Sequence, residues 1–227
     1  MRTLAFDPHV HTEGSWDSNA AVEDVLAAAA DAGLDGLAVT DHDAVDHSLY
    51  AVERAPEFGL FAIPGVEVST LGGHLLALGV ETTPPEGRSF AWTVDWVHDR
   101  GGVAVAPHPF RRSSHGVGRE VLRDADALDA VETFNACTVL GYRNRQARTF
   151  ASRHDRTRLG GSDAHRPARV GDGYTRVHVR PAADPVADYQ PILDAIREGR
   201  TSAHGRTASV RSYVAKFAVN AKTRTTR

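Results

Sequence analysis

Apolar positions along the chain alternate between two rhythms. Short runs, among them Leu4-Ala5-Phe6, Leu37-Ala38-Val39, Leu75-Leu76-Ala77-Leu78 and Val103-Ala104-Val105-Ala106, read as buried strands. Between them lie stretches with helical spacing: Val22, Val25, Leu26 and Ala29 fall on one face, and Gly33 is placed to end that helix. Residues 44–58 read as helix closed by Gly59, and residues 60–66 as a third strand with Pro64 near its end. Gly72-Gly73 is a turn that sets the Leu75 strand into a hairpin with the third. Residues 90–97 are helical, 120–126 form a short helix, 128–134 a strand and 142–154 an Arg-rich helix. Leu159-Gly160-Gly161 opens a short buried strand, 174–179 alternate like a strand, 189–197 are an amphipathic helix closed by Gly199, and 210–219 predict a last short helix.

With neither repeat nor low-complexity linker, this succession predicts one α/β domain on a mostly parallel sheet, closed or open. Function in such folds gathers on the loops that follow the strands. The 227 residues are enough for one such domain, and at that size about 70 % of the unfolded chain's surface can be buried. Cys137 is the one cysteine, so no internal disulfide forms. Without an apolar leader or a run of membrane-spanning length, the expected setting is the cytoplasm.

Charge is uneven. Seven of the 26 Lys/Arg and none of the 29 Asp/Glu fall in residues 200–227, which leaves −10 on the first 199 residues. A basic tail (206–227) can attract phosphate-bearing partners, nucleic acid among them, and a solvated, frayed terminus explains the same run.

The twelve histidines change the picture most. His9 and His11 follow the first strand; strand side chains alternate with period two, so a His-x-His pair points both rings one way. Such a pair is by itself more often an ordinary surface pair. Here it has company. Asp41-His42 follow the second strand, Glu67 ends the third, His108 follows the Val103 strand, Glu132 ends the next, and Asp163 and His165 follow Leu159. His74 opens its strand, but antiparallel pairing puts that start beside Glu67. Six histidines with Asp17, Glu67 and Asp163 make nine N/O donors, enough for three ions with bridging carboxylates. Absence of thiolate points to a catalytic site, and the donors suit Zn²⁺, Mn²⁺ or Fe²⁺ without choosing among them.

These residues also carry a resemblance. Asp7-Pro8-His9-Val10-His11-Thr12, Thr40-Asp41-His42-Asp43, Gly65-Val66-Glu67-Val68-Ser69, Pro107-His108-Pro109 and Gly161-Ser162-Asp163-Ala164-His165 are similar, in order, to the motifs of the PHP family, named for bacterial polymerase and histidinol phosphatase domains. The similarity runs from about residue 3 to about 170. Pro8 stands where the family usually has an apolar residue, and Asp17 where some members use histidine. The resemblance implies a distorted (β/α)7 barrel over residues 1–205, with a family-associated extension at about 160–205, and a trinuclear site at the C-terminal ends of the strands. It implies that His9, His11, Glu67 and Asp163 hold one ion, that Glu67 bridges to a second held by His74 and His108, and that Asp17, His42 and His165 hold a third.

A phosphate ester is the substrate that three divalent ions favour. Water on such ions loses its proton near neutral pH and becomes the nucleophile, while the ions neutralise phosphoryl oxygens. The reading is a metal-dependent phosphoesterase acting on a small metabolite or nucleotide, with Glu67, His42 and Asp163 at the reacting centre. Arg111 and Arg112 are placed for bidentate phosphate contacts. Arg143, Arg145 and Arg148 are further candidates that an exposed helix face explains equally well. Asn135 either touches substrate or caps its loop, and Cys137 packs as a small residue. Asp7, Asp41 and Asp43 neighbour the ligands and are candidates to orient imidazoles, whereas His47, His98, His154, His178 and His204 read as structural and His115 as a loop residue. A nuclease is the alternative that the basic tail favours, though no aromatic platform for bases is evident in the sequence. Amidohydrolase chemistry lacks its barrel lysine, since the only lysines are Lys216 and Lys222, and a non-catalytic metal-binding domain is disfavoured because all nine positions are filled.

Overall fold

The apolar stripe of the first predicted helix sorts the chain as expected: Val22, Val25, Leu26 and Ala29 are the buried residues of α1 (Val22–Asp31), and Gly33 follows it with φ of 73°. The computed structural model describes residues 1–110, 116–138, 141–182 and 184–206. Arg111, Arg112, His115, the predicted 210–219 helix and all of the basic tail beyond Arg206 lie outside the described residues. In chain order come β1 (Arg2–Val10), α1, β2 (Gly36–Val39), α2 (Asp46–Arg54), β3 (Phe61–Ala62), β4 (Gly65–Thr70), β5 (Gly73–Leu78), α3 (Phe90–His98), β6 (Val103–Ala106), α4 (Arg119–Asp124), β7 (Ala130–Asn135), α5 (Tyr142–Arg153), β8 (Thr157–Gly161), β9 (Gly173–Val179), α6 (Gln190–Arg197) and β10 (Thr201–Gly205).

The class is mixed α/β, but among the described residues no continuous ladder closes a barrel. One five-stranded sheet has the order β10-β9-β1-β2-β3 and the other β4-β5-β6-β7-β8. Two isolated bridges, Val10 with Ala164 and His42 with Glu67, tie the sheets together at the site described below. The sheets are also less parallel than the sequence predicts. β1–β2, β2–β3, β6–β7 and β7–β8 are parallel, whereas β1–β9, β9–β10, β4–β5 and β5–β6 are antiparallel.

Three local features account for the differences. The predicted third strand is two strands: the chain leaves the first sheet after Ala62 and enters the second at Gly65, and Pro64, which has no N–H for a ladder, falls in the break. Glu67 therefore stands inside β4 rather than at a strand end. Pro8 is accommodated because the β1–β2 register shifts between Asp7 and Val10, an irregularity in which its missing donor costs no ladder bond. β10 is short and small-residue, with no apolar alternation to reveal it, and it forms by pairing with β9.

One core lies between the sheets and joins Phe6, Leu76, Val105, Leu159 and Val177 to Ile192 and Ile196 of α6. Two more lie on the outer faces, one under α1 and α2 and the other under α3 and α4. No helix among the described residues is long and apolar enough to cross a membrane.

Candidate metal centre

The loops after the strands are fastened to one another by backbone bonds, and this brings distant donors together. His11 N donates to Ala164 O at 2.8 Å and Asp163 N to His9 O at 2.9 Å, which locks the β8 loop against β1. Glu67 N donates to Asp41 O and Asp43 N to Glu67 O, at 3.1 and 3.0 Å, which locks β4 against the β2 loop. Asp163 (φ 53°) and His108 (φ 27°) hold left-handed backbone conformations. Aspartate tolerates that region and histidine rarely occupies it, so the surrounding packing must hold His108 there.

Four side chains converge first. Nε2 of His9 and Nε2 of His11 are 3.1 Å apart. Each lies 3.3 Å from Glu67 Oε2, and they lie 3.6 and 3.5 Å from Asp163 Oδ1. Donors about 2.1 Å from a common centre in a tetrahedron stand about 3.4 Å from one another, so this set fits a Zn²⁺-sized ion. The other oxygen of Glu67, Oε1, lies 2.9 Å from His74 Nδ1 and 3.0 Å from His108 Nε2. Glu67 thus stands between two imidazole pairs with one oxygen toward each. A third set gathers on Asp17, whose Oδ2 lies 2.8 Å from His165 Nε2 and 3.5 Å from His42 Nε2. His42 faces both ways, since its Nδ1 is 3.4 Å from Glu67 Oε2. All nine residues fall into groups of three or more donors able to hold a metal ion, and His9, His11, Glu67 and Asp163 are almost wholly buried.

Electrostatics fit a site that expects cations. Burial pushes the His9 and His11 rings down, but the Glu67 and Asp163 carboxylates against them win, and His11 is held up at about 9. Burial would raise Glu67 and Asp163, yet the imidazoles around them hold both well below the ordinary carboxylate range. The His9 and His11 rings would have to give up these protons to hold a divalent ion, so metal binding would be coupled to proton release.

The residues that support the donors differ from those the sequence suggests. Asp7 accepts from the backbone amides of Ser162, Gly171 and His9, Asp41 from Thr12, and Asp43 from Ser69. These aspartates hold loop backbone in place, and among the described residues no hydrogen bond joins them to an imidazole. Glu132 takes the orienting role: its Oε1 lies 3.2 Å from His9 Nδ1, and its Oε2 accepts from His108 N at 2.6 Å and from Asn135 Nδ2 at 2.9 Å. Gly161 makes room for this, because a Cβ there would collide with Glu132 Oε1 and come within 2.9 Å of His9 Cβ. Asn135 also donates to Asp163 Oδ2 at 3.2 Å, its Oδ1 accepts from Cys137 N, and it is 1 % exposed. Its amide nitrogen is thus shared between Glu132 and Asp163. Glu132→Gln is expected to lower metal affinity about 10- to 100-fold with the fold intact, as outer partners of metal ligands do; equilibrium metal titration with circular dichroism checks it.

Other candidates fall elsewhere. Arg148 lines a cleft of about 700 Å³ with Arg156, Arg158 and Arg197, beside the starts of β8 and β10 and so at the opposite end from the donors. Arg143 bonds Gln146, and Arg145 is exposed on α5. His98 pairs with Asp129, His178 with Thr3, His204 with Ser202 and His47 with Thr12, while the His154 ring packs at a tilt against Phe150. Cys137 is nearer the centre than expected: its Sγ donates to Asp163 O at 3.1 Å and belongs to a donor group with Asp163 and His165.

Comparison with known proteins identifies relatives in sequence and in fold. Residues 7–106 match the PHP domain model and residues 141–201 the PHP-associated model. An uncharacterized protein of Methanocaldococcus jannaschii is 31 % identical over 140 residues, which make up 57 % of this chain and 81 % of that protein. Among solved structures, a two-domain protein from Bacteroides vulgatus, described as containing a predicted PHP-like metal-dependent phosphoesterase, superposes with a TM-score of 0.75 at 20 % identity. That match covers 90 % of this chain, which spans 65 % of the two-domain protein. The lesion-specific endonuclease EndoQ of Pyrococcus furiosus superposes with a TM-score of 0.63 at 15 % identity, over 87 % of this chain and 56 % of the endonuclease.

Proposed function

Because this chain belongs to the PHP domain family, we propose that it is a metal-dependent hydrolase that cleaves the phosphate monoester of a small metabolite or nucleotide. The observation that carries the reading is Glu67, with one carboxylate oxygen facing His9 and His11 and the other facing His74 and His108. In this reading His9, His11, Glu67 and Asp163 hold one divalent ion, Glu67, His74 and His108 a second, and Asp17, His42 and His165 a third, with Mn²⁺, Fe²⁺ or Zn²⁺ as candidates. Bound ions supply Lewis acidity, which activates water and neutralises phosphoryl oxygens. The chain's own contribution is placement. Glu132 fixes the His9 ring, Asn135 fixes Asp163, and Glu67, His42 and Asp163 face the space where the phosphoryl group is to sit.

Arg111 and Arg112 keep their proposed role as phosphate contacts, and residues 1–205 are proposed as the PHP unit followed by the basic tail. A single cysteine, Cys137, suits a cytoplasmic setting.

Purified protein is expected to release phosphate from an aryl phosphate, to lose that activity in chelator and to regain it with Mn²⁺. A fully metal-loaded protein inert toward aryl, nucleotide and sugar phosphates would sink the reading. Nuclease action is the second reading, supported by the likeness in fold to EndoQ. Turnover of oligonucleotide ends in preference to mononucleotides would favour it.

A further inference from the structure

An exposed aromatic ring stands beside the donors, in the loop that carries Asp17. Trp16 is 77 % exposed, yet its indole lies nearly parallel to the His42 imidazole, with ring centroids 5.5 Å apart and an interplanar angle of 19°. Both of its neighbours turn inward. Buried Ser15 accepts from His42 N at 3.0 Å and lies 3.3 Å from His11 Nδ1, and Asp17 meets His165 and His42. Backbone bonds from Ser15 N to Thr12 O and from Ser18 N to Ser15 O close the loop into tight turns around Trp16. The indole is thus fixed at the mouth of the donor cluster, with one face on a candidate ligand and the other open to solvent.

The other exposed aromatic side chains among the described residues each have a partner of another kind. Tyr50 bonds Glu23, Trp92 lies beneath Arg88, and Tyr142 sits against Arg143. Exposing an indole forfeits the hydrophobic gain of burying it, and an aromatic face recovers that gain when a flat ring covers it.

We propose that Trp16 is a substrate-positioning residue that stacks the heteroaromatic ring of a phosphate ester, a nucleobase above all, while the phosphate lies among the donors. The proposal rests on the phosphoesterase reading and narrows its substrate class. Base stacking on an aromatic side chain tolerates any base, so selectivity is expected for the presence of a ring and not for its identity.

The test compares wild type with Trp16→Leu, which keeps an apolar cover over His42 and removes the aromatic face, and with Trp16→Phe, which restores a smaller face. The expected result is that the ratio of kcat/KM for adenosine monophosphate over glycerol phosphate falls about ten-fold or more in Trp16→Leu, mainly through KM, and recovers in part in Trp16→Phe. Metal content is measured in each protein. An unchanged ratio, with both esters slowed alike, would overturn the proposal and leave Trp16 as a cover for His42. Adenosine monophosphate binding, read by quenching of indole fluorescence in the metal-loaded wild type and lost in Trp16→Leu, separates this proposal from its premise. Quenching without hydrolysis of any ester sinks the phosphoesterase reading alone, and absence of quenching sinks the stacking role.

Discussion

Glu67→Gln is expected to lower phosphate release by at least about 10³-fold, beyond the 10- to 100-fold typical of outer partners, because it removes the charge that five imidazole pairings share. Glu67 is 1 % exposed and its two oxygens face His9, His11 and His42 on one side and His74 and His108 on the other. An amide is the same size, but one end of it carries N–H groups that point at imidazole nitrogens. Metal analysis should show loss from the His9–His11 and His74–His108 sets together. Loss from only one set would refute the bridging position.

The metal-free protein gives a second readout for the same variant. Burial works against the Glu67 charge, but the histidines around it hold the folded-state pKa well below its ordinary 4.5. A depressed carboxylate contributes stability that is present above the unfolded pKa and is lost as pH falls through the folded one. Chelated wild type should therefore exceed Glu67→Gln in stability at neutral pH, by on the order of 3 kcal/mol for a broken buried pair, and the gap should close on strong acidification. Urea unfolding at several pH values measures it.

Gly173→Ala is expected to be the most damaging small change outside the donors. A Cβ at Gly173 would overlap the carbonyl oxygen of Gly161 and come within 3.1 Å of Ser162 N. Those atoms are backbone, and they lead directly into Asp163. Relief requires β9 to move from β8, so the cost should reach or exceed the upper end of overpacking, about 3 kcal/mol, a fall in Tm on the order of 10 °C for a domain of this size. Gly118→Ala, where an added Cβ meets nothing within 4 Å, serves as the control and should stay within about 1 kcal/mol. Equal melting temperatures for the two variants would contradict the close β8–β9 approach.

How much of this was legible beforehand follows from how local each signal is. The α1 stripe, the β4–β5 hairpin around Gly72-Gly73 and the Val103 strand were readable because period and turn chemistry are short-range properties. The proposed donors were readable too, since all but His74 follow or end a predicted strand and parallel α/β folds carry such positions to one side. The break at Pro64 was visible as a residue but not as a change of sheet. Strand pairing is chosen by contacts far apart in sequence, and no period announces which sheet a strand will join. For the same reason a mostly parallel sheet was the natural reading, while β9 and β10 pair antiparallel through partners distant in the chain.

The sequence by itself determined the mixed α/β class, the family, and a set of nine candidate donors without thiolate, because residue type and spacing along strands carry those facts. Tertiary structure alone decided the rest. It split Leu60 to Val66 between two sheets, left no closed ladder among the described residues, and put Glu132 behind His9, a place that sequence spacing assigns to Asp7, Asp41 and Asp43. It brought Asn135 to Asp163 and laid Trp16 on His42. Each of these depends on where a side chain ends in space relative to residues 25 to 130 positions away, and such distances are set by packing and by the backbone bonds between loops, not by any interval that can be read along the chain.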